Sequence, residues 1–334
     1  MFIFTPEKLH ARLAAMQGKR IAVLGDFMLD RYLWGSVTRI SPEAPVPVVE
    51  IDTETDHLGG AANVANNIAS LNAYAYPLGV IGKDAAGERL MDLLKQTGFV
   101  IDGMFVDSSR PTTLKTRILA HNQHVVRTDR ESRQELAPEI QEKILHYLAA
   151  ILPAIEALVI EDYNKGVIAQ PFISQVIELA RKHRCPITVD PKFNHFFEYR
   201  HVTVFKPNCK ETEQVTGTKL ATMSDVDRAG GNFLKRLQCD NVLITLGEQG
   251  MALYRQDGSR HLIPTLARRV HDVSGAGDTV IATLTAALAS GADILEAATL
   301  ANYAAGVVVG EVGTVPVDKQ KLIEAIADHQ QLES

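Results

Sequence analysis

The feature that most constrains this chain is a series of short apolar runs, each closed by a small or polar residue. Ile21-Ala22-Val23-Leu24 leads into Gly25-Asp26, Ala157-Leu158-Val159-Ile160 into Glu161-Asp162, and Ile187-Thr188-Val189 into Asp190. Val202-Thr203-Val204-Phe205 leads into Lys206-Pro207-Asn208, and Val242-Leu243-Ile244-Thr245 into Leu246-Gly247. Runs without regular polar alternation suit parallel strands buried on both faces. Helical spacing lies between them: Ile140, Ile144, Leu145 and Leu148 within 139–152, and Phe172, Ile173, Val176, Ile177 and Ala180 within 171–183. Strands alternating with helices predict right-handed crossovers and an α/β doubly wound, mostly parallel sheet. Ligands of such sheets collect beyond the carboxyl ends of the strands. Asp26, Asp162, Asp190, Asn208 and Gly247 are therefore expected along one edge.

Two segments break this rhythm. Residues 33–56 contain Val46-Pro47-Val48-Val49-Glu50-Ile51, and residues 104–128 contain Thr112 to Leu119 and then Val125-Val126-Arg127. Their patterns fit antiparallel strands with one exposed face. Together they predict a small β-sheet lid beside a single domain spanning 1–334. A lid excludes water from a transfer reaction. Its exposed strand edges need cover, which predicts a homodimer through the lid sheet.

Charge and cysteine content remove several classes. Thirty-four Lys and Arg against 40 Asp and Glu leave a formal charge of −6, with no basic block, which argues against nucleic-acid binding. Cys185, Cys209 and Cys239 are too few and too scattered for a zinc site or a disulfide framework, so a reducing, cytoplasmic location is expected. The chain turns polar after four residues, unlike a signal peptide, and no apolar stretch approaches the length of a membrane span.

The strongest motif is Asp272-Val273-Ser274-Gly275-Ala276-Gly277-Asp278-Thr279, followed by a helix with Val280, Ile281, Leu284, Ala287 and Leu288 on one face. Glycines let backbone approach an anion, and a helix start presents unpaired N–H groups with a favourable dipole. Asp278, in the first turn, is positioned to take a proton from an attacking hydroxyl; an ordinary helix start with a dipole-favourable carboxylate is the alternative. The second motif is Gly59-Gly60-Ala61-Ala62-Asn63, opening an Ala-rich helix. It reads equally as a sugar-binding turn or as tight helix–sheet packing.

These two segments together resemble the two signatures of the ribokinase-like sugar kinase family, across nearly the whole chain. Lys206-Pro207-Asn208-Cys209-Lys210-Glu211 is similar to the family's Asn-x-x-Glu motif, and Thr245-Leu246-Gly247-Glu248-Gln249-Gly250 to its nucleotide-side glycine turn. A narrower resemblance is to the D-glycero-β-D-manno-heptose-7-phosphate kinases. Gly25 to Tyr32, Arg39 to Val48, and Asp162-Tyr163-Asn164-Lys165-Gly166 carry it. Those enzymes phosphorylate O1 on the route to ADP-heptose and the lipopolysaccharide core. Their domain is often fused to an adenylyltransferase whose His-x-Gly-His is not found after residue 320, so the kinase half is what this sequence is expected to hold.

The resemblance implies a ribokinase-like fold and ATP-dependent phosphoryl transfer. Asp278 becomes the catalytic base, with the backbone of Gly275, Ala276 and Gly277 as anion hole. Asn208 and Glu211, three apart at a strand-to-helix junction, are expected to face a hydrated Mg²⁺, and equally fit a capping box. Asp26, Asp30, Gly59, Gly60, Asn63 and Asp162 are expected on the sugar side. Lys83, Arg117, Arg127 and Lys165 are candidate cations for a sugar phosphate, each also readable as a solvated surface charge. Lys192 is expected near the nucleotide phosphates. Thr245, Gly247, Gly250, Asn302 and Ala305 are expected around the nucleotide, and Gly313 and Thr314 beside a monovalent cation such as K⁺. Competing readings are a kinase of another sugar and a non-catalytic sugar- or nucleotide-binding regulator. The retained Asp278, Asn208 and Glu211 argue against the regulator, and the lack of Gly-x-Gly-x-x-Gly after the first strand argues against a dehydrogenase.

Overall fold

The computed structural model describes residues 2–120, 123–265, 273–311 and 313–333. Its strands, in chain order, are β1 (Arg20–Gly25), β2 (Phe27–Ile40), β3 (Pro47–Gly60), β4 (Tyr74–Ile81), β5 (Met104–Val106), β6 (Thr113–Ala120), β7 (Gln123–Arg130), β8 (Ala157–Glu161), β9 (Ile187–Asp190), β10 (Val204–Phe205), β11 (Asn241–Thr245), β12 (Met251–Arg255) and β13 (Arg260–Ile263). Nine form one sheet in the order β13-β12-β11-β10-β9-β8-β1-β4-β5. It is parallel from β11 to β5 and ends in the antiparallel β12 and β13.

The continuous apolar runs follow from cover on both faces. Ile21, Val23, Ala157 and Val159 enter one core, with the helices Ala61–Ser70, Ala276–Ala289 and Ile294–Val308. Their neighbours Ala22, Leu24, Leu158 and Ile160 enter the other, with Pro138–Ile151, Phe172–Lys182 and Met223–Leu237. Alternate side chains point to opposite faces, so a strand covered twice has no position left for a polar residue. The Ala276–Ala289 helix is buried continuously from Asp278 to Ala287, which explains its nearly uniform apolar composition.

The remaining four strands form a separate sheet in the order β3-β2-β6-β7, with β2 and β6 parallel and the outer pairs antiparallel. The boundaries differ from the sequence reading. β2 and β3 run well beyond 33–56, and Met104–Val106 pairs with β4 in the large sheet, not with the small one. Val202 and Thr203 precede their strand, which is only Val204–Phe205. β4, β12 and β13 carry shorter or mixed patterns that their own sequences do not advertise. Among the described residues no helix is long and apolar enough to cross a membrane, and the three cysteines are unbonded.

Candidate active site

At the carboxyl edge of the large sheet, the Ala276–Ala289 helix begins at Gly275, whose φ of 78° lies in the left-handed region. A Cβ there would meet the Asn63 amide at 2.9 Å and Thr314 at 3.1 Å, so glycine is needed for conformation and for space. No side chain caps this helix start, and of its first N–H groups that of Ala276 donates to the Val273 carbonyl at 3.3 Å. Asp272 lies outside the described residues.

Asp278 is buried in the first turn. Its Oδ2 accepts a hydrogen bond from Asn63 Nδ2 at 2.8 Å, and its Oδ1 accepts one from Tyr163 Oη at 2.7 Å. Burial pushes its pKa up to about 6, against the two hydrogen bonds, which lower it; Asp190 adds to the rise and Lys206 opposes it. A carboxylate held near neutrality between two donors is suited to general-base work. Asn63 is held in turn: Asn67 Nδ2 donates to its Oδ1 at 3.2 Å.

The loop after β8 brings Tyr163 to this carboxylate, and Asp26 shapes the loop. Asp26 accepts from the backbone N–H groups of Tyr163 (2.7 Å), Lys165 (3.1 Å) and Val167 (3.3 Å). Burial and the neighbouring Asp162 raise its pKa to about 7. Both Asp26 oxygens are thus engaged by backbone donors inside the protein. Asp162 is likewise buried and accepts from Tyr199 Oη at 2.7 Å and from the Asn164 N–H at 2.7 Å, with Tyr199 in the opposite core.

Below the helix start lies a buried charge cluster. Lys206 Nζ pairs with Asp190 Oδ2 at 2.6 Å, and Lys192 pairs with Glu211. A Cβ on Gly277 would stand 3.6 Å from Asp190 Oδ2 and 3.7 Å from Lys206 Nζ, so this pair abuts the glycine turn. Burial alone would lower the Lys206 pKa, yet Asp190 and Glu161 hold it raised. Glu161 is fully buried, with neither carboxyl oxygen hydrogen-bonded, and burial followed by Asp190 and Asp278 raises its pKa well above the usual range. Asn208 and Glu211 form a complete capping box, each side chain accepting from the other's N–H at 2.9 Å. Capping does not exhaust the lone pairs of these oxygens. Glu211 and Asp190 are each also paired with a lysine, and among the described residues no three His, Cys, Asp or Glu side chains gather as they would to hold a metal directly, so these hard oxygen donors suit contact with Mg²⁺ only through its waters.

On the far side of the glycine turn, Thr245, Gly247, Gly250, Ala276, Gly277, Asn302 and Ala305 line one half-enclosed, largely apolar cleft of about 240 Å³. Asn302 forms its wall by donating to the Pro264 carbonyl at 2.7 Å. A narrow apolar slot ending on an uncapped helix start suits a flat ring with attached phosphates.

The small sheet lies on the other side of Asp278. Asp30 pairs with Arg117 at 3.0 Å, and Lys165 pairs with Glu131. Gly59 lies against Asp30: a Cβ would sit 2.8 Å from its carboxylate. Gly60 ends β3 at a φ of 56° and starts the helix that carries Asn63. Tyr32 Oη reaches Thr314 Oγ1 at 3.5 Å, and Gly313 also lies beside the Tyr32 ring.

Two expected cations are exposed, and one of them, Arg127, lies directly across the strand pair from Arg117. Lys83 is exposed and lines a surface depression with Glu88, Asp92 and Lys95. Arg127 is exposed on β7 and pairs with Asp129 at 2.9 Å. Their charge kept them in water. Asp190 stands on the sheet edge where the sequence places ligands, whereas Tyr163, Lys206 and Glu161 are site residues the sequence reading does not single out, although each stands at or just past the end of a predicted strand. That position was the available signal.

Residues 19–320 match the model of the pfkB family of carbohydrate kinases. Similar curated proteins include the bifunctional protein HldE of Helicobacter hepaticus, 42% identical over 92% of this chain and 64% of its own length. Another is HldE of Geobacter sulfurreducens, 42% identical over 96% of this chain and 65% of its own. The chain therefore spans a little under two thirds of these relatives. Among solved structures, Arabidopsis thaliana ribokinase complexed with ribose and ATP superposes with a TM-score of 0.72 at 21% identity, covering 93% of this chain and 99% of that one. Escherichia coli phosphofructokinase-2 in complex with substrates and products gives 0.76 at 19%, covering 93% and 99%. At those identities the likeness concerns the fold, which is ribokinase-like; by the family match and the 42% relatives, the chain belongs to the pfkB family of carbohydrate kinases.

Proposed function

We propose that this chain transfers the γ-phosphoryl group of ATP to O1 of D-glycero-β-D-manno-heptose 7-phosphate, giving the 1,7-bisphosphate used toward ADP-heptose and the lipopolysaccharide core. The observation that carries the reading is Asp278, buried between Asn63 and Tyr163 at a helix start with the apolar cleft on one side and the small sheet on the other. The names of the 42% relatives support the heptose.

The nucleotide occupies the cleft at Thr245, Gly247, Gly250, Asn302 and Ala305, and the first-turn N–H groups of Gly275, Ala276 and Gly277 meet the transferred phosphoryl. Asp278 takes the proton of the acceptor hydroxyl as its oxygen bonds to phosphorus and the bond to ADP breaks. Lys192 and Lys206 offset negative charge beside the turn. Asn208 and Glu211 would hold a hydrated Mg²⁺ through its waters, and the ion would supply charge neutralisation for the phosphates. Asp30, Gly59 and Arg117 face the sugar.

The small sheet acts as a lid and as the contact between two copies. Exposed Ile40, Ile51, Val125 and Val126 on its strands support that pairing. Sedimentation at micromolar concentration is expected to give the dimer mass; a monomer mass removes it. Phosphorus NMR of the product from ATP and heptose 7-phosphate tests the function. An anomeric phosphate signal is expected, and its absence, with turnover of another sugar, reassigns the acceptor.

A further inference from the structure

Asn67 stands one turn after Asn63 in the Ala61–Ser70 helix, and both side chains are buried. Its amide is fully used. Oδ1 accepts from the Val317 N–H at 2.9 Å and from Thr279 Oγ1 at 3.1 Å. Nδ2 donates to the Asn63 carbonyl at 3.0 Å and to Asn63 Oδ1 at 3.2 Å. Two lone pairs and two N–H groups are all that a primary amide offers.

This chain of bonds can run in one direction only. A backbone N–H donates and never accepts, so the Asn67 atom facing Val317 has to be oxygen, and its NH₂ then turns toward Asn63. The Asn63 backbone carbonyl, which can only accept, holds the same NH₂ from the other end. Asn63 Oδ1 is thereby committed to Asn67, which leaves its Nδ2 for Asp278 at 2.8 Å. Among the described residues only Asn67 and Asp278 hydrogen-bond to the Asn63 side chain. Turned over, Asn63 would set an oxygen against the Asp278 carboxylate, which would keep Tyr163 as its one side-chain donor.

We propose that Asn67 is a positioning residue for phosphoryl transfer: it sets which end of the Asn63 amide meets Asp278, and so keeps a donor on the carboxylate that takes the proton. The proposal rests on Asp278 as the base and deepens that reading. Packing alone would need only the shape of Asn67, whereas this role needs the polarity of its amide.

The test uses Asn67→Leu, which keeps the volume, and Asn67→Ala, which leaves room for water at the Val317 N–H. Activity is measured with ATP and heptose 7-phosphate, or with the acceptor that phosphorus NMR identifies in its place. Each variant is expected to lower kcat about tenfold with KM for ATP nearly unchanged. Each is also expected to move the acid limb of kcat/KM to higher pH, because a donor to the charged carboxylate is lost. Glu161, Asp190, Tyr163 and Lys206 also act on Asp278, and all four are unaltered in these variants. In an Asn63→Ala background the same substitutions are expected to lower kcat no further, since the route through Asn63 is gone. Lost stability with kcat and the acid limb unmoved, or losses that simply add to that of Asn63→Ala, overturn the proposal and leave Asn67 a packing residue. Near-normal turnover in Asp278→Asn is a different failure, which removes the base and the proposal together. The native protein supplies a readout that needs no Asn67 variant to fold. Its Asn63 side-chain NH₂ signal in NMR, identified by its loss in Asn63→Ala, is expected to shift as pH passes about 6, where Asp278 ionises. A signal that stays fixed means that the NH₂ does not face the carboxylate, and it overturns the proposal.

Discussion

The two sheets of this protein solve opposite problems. In the large one, all five residues of β8 are buried, and the charges at its carboxyl edge are buried with them, Asp190 paired with Lys206 and Glu161 without a hydrogen bond. In the small one, all eight residues of β7 are exposed, and the charges spread over a face open to solvent or ligand. A doubly covered sheet fixes its side chains by packing, and that rigidity can hold a base and an anion site in register. A sheet covered on one side can shift against it and meet a substrate. The catalytic carboxylate lies at the boundary, tied to the rigid layer through its helix and to the loop beneath the small sheet through Tyr163.

Breaking the rigid side is expected to cost most. Asp278→Asn removes the proton acceptor while keeping the shape, so kcat is expected to fall about 10²–10⁴-fold with ATP affinity retained, read by steady-state kinetics and calorimetry. Near-normal turnover would take Asp278 out of the chemistry. Lys206→Met leaves Asp190 buried beside the glycine turn without its partner. A loss of about 3–5 kcal/mol in urea unfolding is expected, and a much smaller loss would mean that the pair is not sealed from water.

The boundary itself is probed by pH. With Asp278 raised to about 6, the base is ionised above that value, so kcat/KM is expected to fall as pH drops through 6. The Tyr163 hydrogen bond favours the charged form. Tyr163→Phe is therefore expected to move the acid limb to higher pH and to lower kcat/KM at pH 7 about tenfold, the scale of one charge-assisted hydrogen bond. An unmoved limb would uncouple the two residues. The smallest effect belongs to the open side: Arg127→Ala, on exposed β7, is expected to change stability by less than about 0.5 kcal/mol in thermal unfolding. A larger change would give the small sheet a rigidity that its exposure does not suggest.

How much was legible follows the same division. The strands β1, β8, β9 and β11 were readable because burial on two faces leaves an uninterrupted apolar run. The Gly275 turn and Asp278 were readable because close backbone approach requires particular residue types at fixed spacing. Met104–Val106 was not: three residues carry no usable period, and pairing with β4 decides their sheet. Asp26 and Asp162 looked like ligands for a polar substrate because the ends of buried strands are where such residues gather. The structure adds what a sequence does not display, their partners inside the protein: the N–H groups of a loop for Asp26 and Tyr199 for Asp162.

By itself, the sequence determined that a parallel, doubly covered sheet would form and that its carboxyl edge would carry a glycine turn and a carboxylate, because periodicity and steric need are local properties. Only the tertiary structure decided which charges face one another. Asn63 and Tyr163, from distant parts of the chain, converge on Asp278, and Lys206 is neutralised by Asp190. Electrostatic pairing depends on distance in space, and strand order and register set that distance, not separation along the chain.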